Sequence, residues 1–254
     1  MFNKDKISFE ENSVLVDCVG TSRQEIINCV YAIAKEIVET LNIANLNSIR
    51  IKDIDLFDSV FGSANIHGNI ILSYSTAVNL SKKEDLVHKR ALSTIWHEFY
   101  HLFDYENVGQ NIFKRVTKNN SDKLAVSFML WSEFFATYKT YEIYEVTDFY
   151  DSFECVFTND GDLMKKKYYT SRIFAYYINC NHSPKCDRLI EEHFNRNYVV
   201  EIVDKYIELL YRYPNITEVD LIEIDRLIGL LVDKKFDFEE LQTIDLGLYI
   251  KNKN

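Results

Sequence analysis

The sequence predicts an α+β fold with a small sheet near its start and a mostly helical C-terminal part. Glycine and proline are scarce, with 7 and 2 residues among 254, and this composition disfavours a turn-rich all-β fold. Strand-like and helix-like patterns mix in the first half, and helix-like patterns dominate after Asp148. We therefore predict a core of residues 1–148 and a helical part of residues 149–254 that packs on it.

The predicted core begins with a strand, a helix and two further strands. The first strand is Ser13–Val19. Ser22 and Glu25 have the spacing of a capping box, which predicts the start of a helix. Apolar residues then recur at helical spacing: Ile26, Ile27, Val30, Ala34, Ile37, Val38 and Leu41. The next strands are Ser48–Leu56, which alternates in part, and Asn69–Ser75, which follows a glycine.

Longer helices follow these strands. Two helical patterns cover about Lys83–Tyr105 and Asp122–Val146. In the second half, Asp187–Tyr213 is amphipathic and ends before a proline. Another helix begins at Thr217, with Asp220 placed to cap it.

Composition and charge exclude several classes of protein. The net charge is −10 and the pI is about 5.1, so an acidic surface disfavours nucleic-acid binding. The first residues contain no signal-peptide pattern, and no run approaches the ~18 apolar residues of a membrane span. The 5 cysteines are scattered and odd in number, which favours a reducing compartment. We therefore expect a cytoplasmic protein that binds neither membrane nor nucleic acid.

The motif H-E-F-Y-H at residues 97–101 is the strongest functional signal. On a helix, His97 and His101 are neighbours one turn apart, so both can bind one Zn²⁺. Glu98 lies one step round the helix, where its carboxylate can act on water without binding the metal. Apolar and aromatic residues flank the motif, which indicates a buried helix rather than a chance match on a surface helix.

A third metal ligand is predicted on the next helix, at Glu133. Its neighbours on the helix surface are mostly apolar, and a buried carboxylate needs a partner such as a metal. The alternatives are that Glu133 pairs with a lysine or arginine, such as Arg90, or lies at the edge of the core. Asp104 is a rival ligand, but it lies on the same helix as both histidines. We expect it instead to support a ligand, by accepting the N–H of a histidine, or to remain solvated.

These residues carry a resemblance to a known family. H-E-F-Y-H, followed after 30 residues by S-E-F-F-A, resembles the gluzincin metallopeptidases, and more narrowly the ImmA/IrrE-type metallo-endopeptidases. The resemblance covers about Ile66–Thr140 and implies a zincin-like core with a small sheet, an active-site helix and a third-ligand helix. It implies Zn²⁺ held by His97, His101 and Glu133, with Glu98 as the catalytic carboxylate. Members of this family are cytoplasmic proteins of bacteria and mobile elements, and some cleave transcriptional repressors.

The sequence also departs from the family pattern. Bulky Phe99 and Tyr100 separate Glu98 from His101, where relatives often have a small residue before the second histidine. Thr137 stands where thermolysin-like enzymes have an aspartate, and no helix-turn-helix segment is evident. These departures concern the subfamily and the substrate more than the zinc site.

Two further groups of residues are weaker candidates. Cys180, His182 and Cys186 have metal-binding side chains, but their spacing matches no zinc knuckle that we recognise, so a second metal site stays open. The reaction also needs a donor for the developing oxyanion. Tyr168, Tyr169, His182 and His193 are candidates for this role, with ordinary packing as the alternative for each.

The sequence thus predicts a zinc-dependent endopeptidase that acts on a cytoplasmic, regulatory protein. The strand at Asn69–Ser75 is expected to pair with an extended substrate through an exposed sheet edge. The alternative is a regulatory module that keeps the zinc fold and binds a partner without cleaving it. A secreted, toxin-like protease is a third reading, for which the sequence offers no export signal. Substrate identity and oligomeric state stay open.

Overall fold

The fold is α+β and mostly helical, with one four-stranded sheet. The computed structural model describes residues 2–10, 22–52, 62–82, 85–114, 121–144, 152–153, 155–156, 162–180 and 184–232. The strand predicted at Ser13–Val19 lies outside these residues.

The sheet is mixed and its strands are short. They are β1 (Ile7–Phe9), β2 (Ser48–Lys52), β3 (Gly62–Ala64) and β4 (Asn69–Ser73), arranged in the order β1-β2-β4-β3. The first three strands of this order run parallel, and β3 runs antiparallel to β4. Isoleucines at matching positions of the parallel strands bury one face of the sheet: Ile7, Ile49 and Ile70.

The predicted role of Asn69–Ser75 in pairing with substrate is wrong for that strand. β4 is hydrogen-bonded on both sides, to β2 and to β3, so it offers no free edge. Its last two predicted residues belong instead to helix α2 (Tyr74–Ser81), because the Ser73 hydroxyl accepts the Thr76 N–H at 3.0 Å and caps that helix.

Helix α1 (Arg23–Leu41) packs against β1 and α2. The predicted capping box is confirmed: Ser22 Oγ accepts the Glu25 N–H at 3.2 Å, and Glu25 Oε2 accepts the Ser22 N–H at 2.7 Å. The helix ends at Asn42, which has a left-handed φ of 52°. Its buried residues follow the helical period: Ile26, Val30, Ala34 and Ile37.

The two helices predicted to carry the site are present. Helix α3 (Asp85–Asp104) continues into a π-helical turn (Tyr105–Gly109) and the short helix α4 (Gln110–Phe113). Helix α5 (Ser121–Ile143) follows, and it packs against α3. The last predicted residues of this helix, 145–146, lie outside the described part of the chain.

Four helices form the second half of the described chain: α6 (Leu163–Asn179), α7 (Pro184–His193), α8 (Arg196–Arg212) and α9 (Glu218–Val232). The prediction of one continuous helix over Asp187–Tyr213 is wrong, because the helix is interrupted between the end of α7 and the start of α8.

Side-chain caps mark the start of α8, after the interruption, and the start of α9. The Asn195 side chain caps the new helix α8 by accepting the Asn197 N–H at 3.1 Å. The predicted cap of α9 is confirmed, since Thr217 Oγ1 donates to Asp220 Oδ2 at 2.7 Å and accepts the Asp220 N–H at 3.3 Å.

Helix α5 is the centre of the molecule. It packs against α3 on one side and against α6 and α9 on others. Every residue from 130 to 137 is buried, so over two turns no face of the helix meets solvent. The helical second half therefore lies directly on the helix that carries Glu133, whereas the division at residue 148 stays a prediction. No helix within the described ranges has the length and apolar character needed to cross a bilayer.

Candidate metal centre

Three predicted ligands come together between α3 and α5. The Nε2 atoms of His97 and His101 lie 3.0 Å apart. Glu133 faces both rings, with Oε1 3.5 Å from His97 Nε2 and Oε2 3.3 Å from His101 Nε2. These three side chains form a group that could hold a metal ion.

The separations of these atoms fit a small metal ion. In a tetrahedral site with bonds of about 2.0–2.1 Å, neighbouring ligand atoms lie about 3.3 Å apart. The observed separations are 3.0, 3.3 and 3.5 Å. Glu133 Oε1 is also buried and accepts no hydrogen bond, a costly situation that a metal ion would relieve. The arrangement thus fits a metal held by two nitrogens and a carboxylate.

The protonation states of two of these residues also suit metal binding. Burial lowers the pKa of His97, which favours the neutral ring. Burial opposes ionisation of Glu133, but the two histidines and Arg172 outweigh it and hold the pKa of Glu133 well below its usual value. For His101, burial is outweighed by Glu133, and the pKa is raised. Metal binding therefore competes with protonation more strongly at His101 than at His97 or Glu133.

Ser132 orients one of the histidines. Its hydroxyl lies 2.9 Å from His101 Nδ1. When Nδ1–H donates to Ser132, the Nε2 lone pair of His101 faces Glu133 and His97, as a metal ligand requires. Sequence analysis expected Asp104 in this role, and that expectation is wrong for direct contact. Asp104 is fully buried and accepts a hydrogen bond from Trp131 Nε1 at 3.1 Å, with Ser132 lying between it and His101.

A cation also lies beside Glu133, but it is not Arg90. The Nε atom of Arg172, on α6, lies 3.6 Å from Glu133 Oε1, whereas Arg90 is exposed on α3. The alternative interpretation of Glu133 as an ion-pair partner therefore applies to Arg172. This contact does not replace the histidines, because both carboxylate oxygens face the two ring nitrogens.

Glu98 lies in the same site without joining the three converging residues. It is 5% exposed, and it lines a cavity of about 750 Å³ together with His97, His101 and Glu133. Burial raises the pKa of its carboxyl to about 7. Strand β3 lies close against it, since a Cβ added to Gly62 would come within 2.9 Å of Glu98 Cγ. The outer strand of the sheet thus forms a wall of the cavity, next to this carboxylate.

Among the candidate oxyanion donors that the structure describes, Tyr168 lines the cavity. Tyr168, on α6, faces it, and burial followed by the negative charge of Glu133 raises its pKa well above the usual value. Tyr169 does not line this cavity, and its neighbours include Cys155. The His193 ring contacts the Phe153 ring with centroids 5.2 Å apart, and His182 lies outside the described residues.

The cysteine segment does not form a second metal site within the described residues. Cys180 Sγ lies 3.4 Å from the Tyr141 hydroxyl, and Cys186 is buried. Neither belongs to a group of three metal-binding side chains in the part of the chain that the structure describes. Because His182 lies outside that part, its contribution stays a prediction.

Sequence reasoning missed three contributors to the site. Ser132 and Arg172 are ordinary residues on amphipathic or buried helices, and nothing in their spacing indicates their partners. Gly62 offers a weak signal, as an isolated glycine in a short polar strand that fits a close approach of backbone to another group.

Comparisons of the chain with protein-family models, with curated proteins and with solved structures find no match.

Proposed function

We propose that the protein is a zinc-dependent endopeptidase. One observation carries the proposal: His97, His101 and Glu133 converge on the wall of a cavity that Glu98 also lines. Two histidines and a glutamate are a ligand set of catalytic zinc sites, and a second carboxylate within the same cavity, that of Glu98, supplies a base. When bound, Zn²⁺ supplies Lewis acidity that polarises a carbonyl and makes water a stronger acid.

In this proposal Glu98 transfers protons. Its carboxylate takes a proton from the attacking water and later gives it to the leaving amine. A pKa of about 7 in the metal-free protein suits both directions of transfer near neutral pH. Gly62 keeps β3 close above Glu98, so the strand limits the positions that the carboxylate can adopt.

Strand β3 is the element that would align a substrate. It is the outer strand of the described sheet, and Gly62, Ser63 and Ala64 all line the cavity. An extended peptide can add to such an edge by main-chain hydrogen bonds, which would carry its backbone past Glu98. This edge, and not β4, is the proposed substrate-binding strand.

Helix α6 contributes two groups to the proposed reaction. Tyr168 lines the cavity, and in this proposal its hydroxyl donates a hydrogen bond to the negative charge that develops on the substrate carbonyl oxygen. The Arg172 guanidinium lies behind it, beside Glu133. Its positive charge stabilises the carboxylate form of Glu133 that metal binding uses.

The substrate proposed here is a protein of the cytoplasm with a regulatory role. The acidic composition and the resemblance to ImmA/IrrE-type enzymes support this choice. The helices that follow residue 162 provide surface beyond the cavity for recognising a folded partner, since binding far from the scissile bond helps to position it.

The test separates metal binding from hydrolysis. Purified wild-type protein is expected to hold about one Zn²⁺ per chain, as measured by mass spectrometry of metals. Glu133→Ala should lose zinc, and Glu98→Gln should keep zinc and fold but lose hydrolysis. Glu98→Gln then serves as a trap for cellular substrates, and the wild type should cleave the trapped protein unless zinc is chelated. Glu142→Gln, an exposed change on α5, is the matched control and should behave as wild type.

Three results would contradict the proposal. Full activity of Glu98→Gln would remove the proposed base. Zinc retained in Glu133→Ala but lost in Asp104→Ala would show that the third ligand is wrong. Zinc bound at full occupancy without cleavage of any trapped protein would leave a binding protein in place of a peptidase.

A further inference from the structure

The cavity at the metal centre has two ends of different chemistry. Its volume is about 750 Å³, within the range of sites that enclose small ligands. One end holds the two histidines, Glu98 and Glu133. The other end is apolar and aromatic, and its lining residues are Leu102, Tyr105, Phe113, Ala125, Phe128 and Met129.

The apolar end is built by the π-helical turn that follows the histidine helix. Tyr105 lies in this turn and Phe113 in α4 directly after it, and both rings pack on Phe128 of α5. The ring centroids are 6.2 Å apart for Tyr105 and Phe128 and 5.5 Å apart for Phe113 and Phe128. Gly109 permits this packing, since a Cβ there would lie 2.6 Å from Tyr105 Cδ2 and 2.9 Å from Phe128 Cζ.

The turn is also fixed to the other side of the molecule. The Glu106 carboxylate accepts the backbone N–H groups of Ala44 and Asn45, at 3.1 and 2.7 Å. These residues belong to the loop between α1 and β2, so the aromatic wall is tied to the sheet as well as to α5. A pocket held in this way is preformed rather than closed by side-chain collapse.

The apolar end remains open to solvent. Met129 is 39% exposed although it is large and apolar, and Ala125, one turn before it, is exposed as well. No charged side chain lines this end of the cavity among the described residues. A charged group placed there would lose water without gaining a partner, whereas an apolar group would gain from leaving water.

We infer that this apolar end is a recognition pocket for a large aliphatic or aromatic side chain next to the scissile bond. The inference rests on the proposed peptidase function for the identity of its ligand, a peptide. It adds the class of substrate residue, which the metal centre alone does not specify. A small substrate residue at this position would make too few contacts with the pocket. A charged one would find no side chain of opposite charge there, so both are rejected.

The probes are peptide hydroxamates, which bind zinc through the hydroxamate whether or not catalysis occurs. Two series place the variable residue on one side or the other of the zinc-binding group, and the residue is Phe, Leu, Ala or Lys. In one of the two series, Phe and Leu should bind zinc-loaded protein about tenfold or more tighter than Ala, as burial of a large apolar side chain implies. Lys should bind no tighter than Ala.

Matched variants locate the preference. Ala125→Trp fills the pocket from an exposed position of α5 and should reduce the preference for Phe to less than about threefold. Lys123→Trp adds the same ring two positions earlier, on a side of α5 that does not line the cavity, and should keep the preference. Met129→Glu is a second pocket variant and should weaken the binding of the Phe and Leu probes. Circular dichroism and zinc content verify folding of each.

The outcomes separate this inference from the peptidase proposal. Equal binding of all four residues in both series would overturn the pocket, and so would failure of every hydroxamate to bind zinc-loaded protein. An unchanged preference in both Ala125→Trp and Met129→Glu would overturn its location. A clear preference in a protein that cleaves no peptide would keep the pocket and refute the peptidase, whereas cleavage without preference would do the reverse.

Discussion

The orientation of His101 depends on the hydroxyl group of Ser132. It is the hydrogen-bond partner of His101 Nδ1, at 2.9 Å, and it is 4% exposed. Removing the partner of a ligand histidine typically lowers metal affinity by about 10–100-fold. We predict a loss of this size for Ser132→Ala, measured by competition for zinc with a chelator of known affinity.

The control for this prediction is Ser127→Ala, five residues earlier on α5. Ser127 is also buried, but it contacts Lys123 and Asp225 rather than the metal centre. Ser127→Ala should therefore lower the free energy of unfolding without changing the affinity for zinc. Equal zinc affinities in the wild type and Ser132→Ala would show that His101 is oriented by packing alone.

Because Asp104 is buried and its pKa is raised, the free energy of unfolding should depend on pH. Burial raises the pKa of its carboxyl from 3.8 to about 7. Between these values the folded protein holds a proton that the unfolded chain releases, so the free energy of unfolding falls as pH rises from about 4 to about 7. We predict a smaller fall in Asp104→Asn, which does not titrate, in urea unfolding of metal-free protein near pH 5 and about pH 8.

Asp220→Asn provides a contrast of opposite sign. The pKa of Asp220 is lowered, with hydrogen bonds from Thr217, Lys205 and Arg212 outweighing burial. Its stabilising effect is present above the unfolded pKa and is lost only in stronger acid. This variant should therefore lose the same stability at both pH values. A pH dependence of Asp104→Asn equal to that of the wild type would show that Asp104 is ionised in the folded protein.

Strand β3 and helix α3 approach each other closely, and this contact constrains Glu98. In Gly62→Ala the new Cβ would lie 2.9 Å from Glu98 Cγ and 3.0 Å from Glu98 Oε1. Either the strand or the carboxylate must move, at a cost of about 1–3 kcal/mol. We predict that this variant keeps its zinc and loses most of its hydrolytic activity, because Glu98 is displaced while the three ligands are not.

Gly229→Ala is the matched control for this change. Gly229 lies in α9, and an added Cβ meets only the end of the Lys167 side chain at 3.4 Å. Alanine is also the better helix former, by about 1 kcal/mol. This variant should be as active as the wild type and at least as stable by thermal unfolding. Full activity of Gly62→Ala would show that β3 is free to move away from Glu98.

The elements that sequence could predict are those with many residues in one pattern. The two site helices were predicted to within three residues of their described ends, because their apolar residues repeat over several turns. Strand β3 was missed, since Gly-Ser-Ala contains no apolar alternation. The break between α7 and α8 was missed because the amphipathic pattern continues across Asn195, and only the cap reveals the new helix.

For the site, too, some features could be predicted from the sequence and others could not. The convergence of His97, His101 and Glu133 follows from motif spacing and from a carboxylate among apolar residues. The contacts of Ser132 and Arg172 depend on how α3 and α6 pack on α5, and nothing in the local sequence around either residue indicates a partner far along the chain. The zinc ion, the reaction and the substrate stay predictions from the same residues.

The metal centre links separate parts of the chain, so metal binding should stabilise the whole molecule. A ligand that binds the folded state alone, at a free concentration 100 times its Kd, adds about 2.7 kcal/mol to the free energy of unfolding. For a chain of this size we predict a rise in Tm of about 5–10 °C with buffered zinc relative to chelator. Differential scanning calorimetry measures it.

Substitutions of two glutamates of α5 test whether this rise in Tm comes from the metal centre. Glu133→Ala removes a proposed ligand, so zinc should no longer raise the Tm. Glu142→Ala removes an exposed carboxylate that pairs with Lys139, and the shift should persist. A wild-type Tm that does not respond to zinc would mean that the three converging side chains hold no zinc under these conditions.

The burial of residues 130–137 of α5 on every side has a consequence for how this sequence can change over time. Every residue of Leu130–Thr137 is buried, so few substitutions fit at any of these positions, including those remote from the three converging side chains. Drift should therefore be slowest in L-W-S-E-F-F-A-T, and faster on the exposed faces of α8 and α9. Distant descendants of the same ancestor should be recognisable by this octapeptide together with the two histidines, even where the sheet and the outer helices have diverged.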